Sequence, residues 1–96
     1  MSIQLKPEHF KLVSEILRSL QIEAHVFGSR SKESAKELSD LDLCLKKTYD
    51  KTKIRKLQDA FEESDLPFKV DVIQWSEISD DFKSQIKADL ILFPVK

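Results

Sequence analysis

Glycine and cysteine are nearly missing from this chain of 96 residues, in which each occurs once, as Gly28 and Cys44. One cysteine excludes an internal disulfide, and we therefore expect a reducing compartment, the cytoplasm. A glycine that is used once is expected where the backbone takes a positive φ or is pressed against a neighbouring group. Gly28 is therefore the first place to look for a site.

Long apolar runs and an excess of one charge are also missing. No run approaches the roughly 20 apolar residues of a membrane span, and the N-terminal segment lacks the apolar region of a signal peptide. The chain has 16 Lys and Arg against 17 Asp and Glu, a net charge of −1. We therefore expect no membrane association and no strong nonspecific binding to nucleic acid.

What the chain does contain predicts one folded domain over residues 1–96, because 41% of the residues are hydrophobic and no linker divides the sequence. Apolar spacing predicts three helices, over about 7–20, 52–64 and 79–88. Short apolar or alternating runs predict four strands, over about 24–27, 40–45, 68–75 and 90–93. Residues 31–38 are polar and are expected to form a loop or short helical turn. The fold class is α/β or α+β with a small mixed sheet.

The second and third predicted strands carry aspartates on one side. Leu41, Leu43 and Leu45 alternate with Asp40, Asp42 and Cys44, and Asp71 follows in the third strand. Helices are expected to pack on the leucine face. The three carboxylates would then emerge on the opposite face as an active site.

Carboxylates arranged in this way suit a hard divalent ion. Asp40 and Asp42 would lie on one side of a strand, roughly 6.5–7 Å apart at Cα, and both can reach one ion. A third carboxylate, Asp71, can complete a site for two ions about 3.5–4 Å apart. With no clustered histidine or cysteine, Mg²⁺ is the favoured ion, bound together with substrate phosphates.

The Gly28-Ser29 turn offers the complementary phosphate site, since backbone N–H groups and a serine hydroxyl bind phosphate oxygens. Each signal alone has an ordinary explanation, namely a plain turn or a solvated strand face. His25 is expected to be a partly buried strand residue, Cys44 a small packing residue and Trp75 a core or interface residue. The combination of turn, spacing and three carboxylates favours the functional interpretation.

Gly28-Ser29, ten residues, then Asp40-Leu41-Asp42 is the G-S-x10-D-x-D pattern. With its flanks, this pattern resembles the minimal nucleotidyltransferase (MNT) branch of the DNA polymerase β-like nucleotidyltransferase superfamily. The resemblance implies a mixed sheet backed by helices, and transfer of a nucleoside monophosphate from an NTP, here expected to be ATP, to an acceptor hydroxyl.

The same resemblance implies roles for individual residues. Asp40 and Asp42 would hold two Mg²⁺ ions, and Asp71 would join one of them and help to activate the acceptor hydroxyl. The β- and γ-phosphates would be bound by Gly28 and Ser29, and their charge would be neutralised by Arg30. One position departs from the family pattern, because Glu33 stands where minimal members usually carry a second glycine.

The resemblance also implies a partner. Only about twenty residues follow the third predicted strand, too few for a domain that holds an acceptor. Solitary family members are commonly paired with a helical HEPN-type protein in toxin–antitoxin modules, as an antitoxin that nucleotidylates its partner, binds it, or both. A homo-oligomer is a further option. The alternative to an enzyme is an antitoxin with a weak or inactive site that neutralises a helical partner by occlusion.

Overall fold

The computed structural model describes residues 3–30 and 39–95. Within these residues the chain forms three α-helices and four strands, with 3₁₀ turns over Gly28–Arg30, Trp75–Glu77 and Lys87–Asp89. In chain order they are α1 (Pro7–Leu20), β1 (His25–Phe27), β2 (Leu41–Leu45), α2 (Lys51–Glu62), β3 (Val70–Gln74), α3 (Asp80–Ile86) and β4 (Ile91–Leu92). Every predicted helix and strand is present. The loop predicted over 31–38, which contains Glu33, lies outside the described residues.

The four strands form one mixed sheet in the order β3-β2-β1-β4. The β2 and β3 strands are parallel and are connected through α2, whereas β1 pairs antiparallel with both β2 and β4. A parallel pair needs such a crossover connection, and α2 supplies it. The predicted small mixed sheet is confirmed.

Local chemistry explains where the helices begin. Pro7 occupies the first turn of α1, where its missing N–H costs nothing. The carboxylate of Asp50 caps α2 by accepting a hydrogen bond of 2.8 Å from the backbone N–H of Lys53. The hydroxyl of Ser79 caps α3 by accepting one from the N–H of Phe82, as its position in the sequence predicts.

The main core lies between one face of the sheet and the helices α1 and α2. The leucines of β2 that alternate with the aspartates are all buried there. They pack among apolar residues of α1, α2 and β1, chiefly Val13, Leu17, Val26, Ile54, Leu57 and Phe61. The predicted leucine face is confirmed.

The opposite face carries a second, smaller apolar cluster. Phe27, Cys44 and Ile86 are buried together, with Ile73 and Phe82 packed against them. The prediction that helices pack on the face opposite the aspartates is therefore confirmed for α1 and α2. In contrast, α3 lies on the same face as the aspartates. The physical reason is that Phe27 and Cys44 alternate onto this face, and their apolar surface requires a cover. Among the described residues, no helix is long and apolar enough to cross a membrane.

Candidate active site

Pairing between strands brings two of the three predicted carboxylates together. In the parallel register of β2 and β3, Asp42 lies directly opposite Asp71. Side chains at paired positions of neighbouring strands share a face, so both carboxylates project from the face that carries α3. Asp40 precedes β2 and is exposed. The site therefore consists of a close pair with a third carboxylate at its rim.

Gly28 lies against this pair. Phe27, the last residue of β1, pairs with Asp42, so the chain turns immediately beside the carboxylate. Gly28 has φ of 75°, and a Cβ placed on it would lie 2.7 Å from Oδ2 of Asp42. Both reasons for expecting glycine, positive φ and close approach, are confirmed. Ser29 follows in the same 3₁₀ turn.

The electrostatics of the site favour a bound cation. Burial raises the pKa of the Asp42 carboxyl, and the negative charges of Asp71 and Asp40 raise it further. Lys69 balances part of this charge, since its Nζ lies 3.3 Å from Oδ1 of Asp71. That lysine is 73% exposed at its side chain and can move away. Among the described residues, the negative charge of the cluster is therefore only loosely compensated.

The residues present fit a magnesium ion whose coordination is completed by substrate phosphates. Across residues 3–30 and 39–95, no three acidic, histidine or cysteine side chains form a ready cage for a metal. Asp42 and Asp71 supply two adjacent oxygen donors, and Asp40 can add a third. Mg²⁺ is commonly held by one or two carboxylates together with substrate phosphates, and it suits an all-oxygen donor set.

Arg30 is buried at the end of the turn that follows β1. Its side chain is 4% exposed, and its guanidinium donates hydrogen bonds to the backbone carbonyls of Ser39 and Gln4. It also lies over the ring of Phe68, 4.6 Å from the centroid. These contacts anchor the chain directly before Asp40, so Arg30 helps to position that carboxylate.

A cleft of about 860 Å³ opens beside the carboxylates. It is lined by Phe27, Asp42 and Asp71 of the site face and also by Phe61 and Glu62 of α2. Sequence reasoning did not assign Lys69 to the site, although its spacing of two residues from Asp71 places it on the same strand face. Val70, Val72 and Ile73 of β3, an edge strand of the described sheet, also line the cleft.

Comparison with known proteins shows the family of this chain. The family described as "Polymerase beta, Nucleotidyltransferase" matches residues 11–93, a range that includes every predicted site position. The chain is also 37% identical to a Haemophilus influenzae protein described as "Probable protein adenylyltransferase MntA". That alignment covers 98% of this chain and 86% of the Haemophilus protein.

Proposed function

Because this chain belongs to the polymerase β family of nucleotidyltransferases, in its minimal branch, we propose a specific reaction for it. The reaction is magnesium-dependent transfer of AMP from ATP to a hydroxyl group on a partner protein. The name of the Haemophilus relative, a protein adenylyltransferase, supports both the nucleotide and the class of acceptor.

One observation carries the proposal, namely the contact between Gly28 and Asp42 beside Asp71. Gly28 lets the main chain approach the carboxylate to a distance that a side chain would block. A triphosphate placed along the turn at Gly28, Ser29 and Arg30 would then have its α-phosphate near Asp42 and Asp71. That arrangement matches the need of nucleotidyl transfer to hold phosphates, cation and acceptor within a few ångströms.

The residues have distinct tasks in this reaction. Asp40, Asp42 and Asp71 would hold Mg²⁺, which supplies charge neutralisation on the phosphates when it is bound. The acceptor oxygen forms a bond to the α-phosphorus while the bond from that phosphorus to the leaving pyrophosphate breaks. Asp71 takes part by accepting the hydroxyl proton. The turn at Gly28 positions the β- and γ-phosphates, and Arg30 holds the backbone that leads into Asp40.

We further propose that the acceptor belongs to a helical HEPN-type protein and that the chain serves as its antitoxin. The family resemblance supports this pairing. Nucleotidylation would neutralise the partner by adding a bulky anionic group to it.

The test is label transfer from radiolabelled ATP to the product of the neighbouring gene, followed by mass spectrometry of that product. We expect a magnesium-dependent mass increase of one AMP, lost in the double variant Asp40→Ala, Asp42→Ala. A matched control is Asp59→Ala, which removes an exposed carboxylate of α2. If no NTP gives metal-dependent transfer while the double variant still neutralises the partner, occlusion rather than catalysis is the function.

A further inference from the structure

The two edges of the sheet differ in how they are protected. The β4 edge is two residues long and is followed closely by Pro94. The β3 edge is five residues long, Val70–Gln74, and contains neither proline nor glycine. Proteins commonly blunt exposed edges with short strands, prolines or bulges, because an open edge pairs with other chains. The β3 edge lacks those devices, although Lys69 and Asp71 place charges at one end of it.

The hydrogen-bonding direction along β3 can be assigned residue by residue. The carbonyl of Lys69 accepts a hydrogen bond of 2.9 Å from the N–H of Leu41, which leads into β2. N–H and C=O groups of one strand residue point to the same side, and the side alternates along the strand. Asp71 and Ile73 therefore also bond toward β2. The backbone groups of Val70, Val72 and Gln74 point away from the sheet.

Among the described residues, no strand pairs with the outer edge of β3. This edge borders the cleft that contains the carboxylates. All five residues of β3 are partly exposed. Val70, Val72 and Ile73 line the cleft together with Asp42 and Asp71. An added strand would lie about 4.8 Å from β3, so every second side chain of it would project beside Asp71 on the site face.

The cleft's chemistry indicates what kind of segment fits it. Gln58, Phe61 and Glu62 of α2 also line the cleft. Since α2 lies on the other face of the sheet, the side chains of an added strand that point away from Asp71 would lie toward α2. The acidic residues Asp42, Asp71 and Glu62 outnumber Lys69, so basic residues that flank the acceptor are favoured.

We propose that the acceptor polypeptide docks as an extended strand on the open edge of β3, and that this pairing delivers its hydroxyl side chain to Asp71. Main-chain hydrogen bonds to Val70, Val72 and Gln74 supply the affinity. The alternate side chains of the docked strand, which contact the site, determine which sequences bind. The inference rests on the proposed function, because it describes how that reaction receives its acceptor. The segment is extended, bears a hydroxyl group and is flanked by basic residues.

The variant Val72→Pro tests the docking directly. Proline removes the outward N–H of Val72 and fills its place with ring atoms. It leaves the hydrogen bonds between β2 and β3 intact, because edge strands tolerate proline where the N–H points away from the sheet. The matched control is Val72→Ala, which shortens the same side chain and keeps the N–H. The probe is the peptide acetyl-Lys-Val-Tyr-Val-Lys-amide, compared with the version that has phenylalanine in place of tyrosine.

Two readouts are measured on the full chain. With the tyrosine peptide and Mg-ATP, we expect Val72→Pro to lower label transfer about tenfold or more, and Val72→Ala to retain it, since each lost hydrogen bond weakens binding several-fold. Without ATP, either peptide should slow amide hydrogen exchange at Val70, Val72 and Gln74 in the wild-type chain. Calorimetric binding of a nonhydrolysable ATP analogue should be the same in all three proteins.

The outcomes separate the docking inference from the proposed function. Unchanged exchange at Val72 with saturating peptide, or equal transfer by Val72→Pro and wild type, overturns the docking. Edge pairing between two copies of this chain also overturns it, and would appear as a dimer that Val72→Pro dissociates in analytical ultracentrifugation. Peptide-dependent protection at Val72 in a protein that binds no ATP supports the docking and contradicts the proposed reaction.

Discussion

The two faces of the sheet are built from the same strands but differ in composition and in the role that we assign to them. One face is filled by Leu41, Leu43 and Leu45 beneath α1 and α2, and it buries almost nothing polar. The other carries Asp42 and Asp71 at one end and a small apolar cluster around Cys44 beneath α3. Because residues alternate along β2, neighbouring positions belong to different faces. A substitution at one residue of β2 should therefore change mainly the stability, and a substitution at the next residue mainly the activity.

The largest effect on stability is expected from Leu43→Ala. Leu43 is fully buried in the main core, and loss of such a side chain costs about 2–5 kcal/mol of unfolding free energy. Urea denaturation would measure this change. The folded fraction should keep its transfer activity per molecule, because Leu43 faces away from the carboxylates. A folded variant that has lost activity would show that the two faces are coupled.

The reverse pattern is expected for Asp42→Asn, one residue before. Transfer activity should fall by about a hundredfold to a thousandfold, because a charge that holds the reacting phosphates is removed. The free energy of unfolding should stay the same or rise. Burial and the charges of Asp71 and Asp40 raise the pKa of Asp42, so the folded state is destabilised by the ionised carboxylate and gains from a neutral amide. Marked destabilisation would contradict the separation of the faces.

Gly28→Ala should affect both properties moderately. The new Cβ would be placed 2.7 Å from Oδ2 of Asp42, at φ of 75°, which alanine adopts with strain. We expect a loss of about 1 kcal/mol in stability and roughly a hundredfold in activity, because a catalytic group is displaced. Combining the change with Asp42→Asn should give much less than the product of the two activity losses. Independent losses in the double variant would show that Gly28 acts on something other than Asp42.

The smallest effect concerns His25, at the far end of the site face. Its Nδ1 is buried without a hydrogen-bond partner among the described residues. Burial lowers the pKa of His25, as does the charge of Lys46, while Glu23 opposes them. As the pH falls below about 6.5, the unfolded chain therefore binds a proton at His25 before the folded chain does, and the stability of the folded chain should decline there. His25→Gln should flatten that decline in pH-dependent urea denaturation, and an unchanged slope would contradict this assignment.

Sequence patterns predicted those features that depend on local periodicity. The bounds of α1 match the prediction at both ends, because Pro7 and the apolar spacing up to Leu20 determine them. The alternation in β2 predicted both the buried leucines and the face that carries Asp42. Gly28 was identified because glycine is scarce elsewhere, and its positive φ and contact with Asp42 agree.

Features that depend on distant residues were not predicted. The parallel register that places Asp42 opposite Asp71 arises from pairing of strands almost thirty residues apart in sequence. No local signal shows that α3 covers Cys44 on the site face, or that Arg30 turns inward to Ser39 and Gln4. The side chain of Arg30 donates hydrogen bonds to carbonyl groups that only the folded chain brings near it.

The central claim is that the Asp42 face binds a nucleoside triphosphate through a divalent cation. Calorimetric titration with an ATP analogue whose α–β bridge cannot be cleaved tests it most directly. We expect binding in the presence of Mg²⁺, loss of binding with a chelator or in Asp42→Asn, and retention in Asp59→Asn. Binding that is equal with and without Mg²⁺, or equal in Asp42→Asn and wild type, would contradict it.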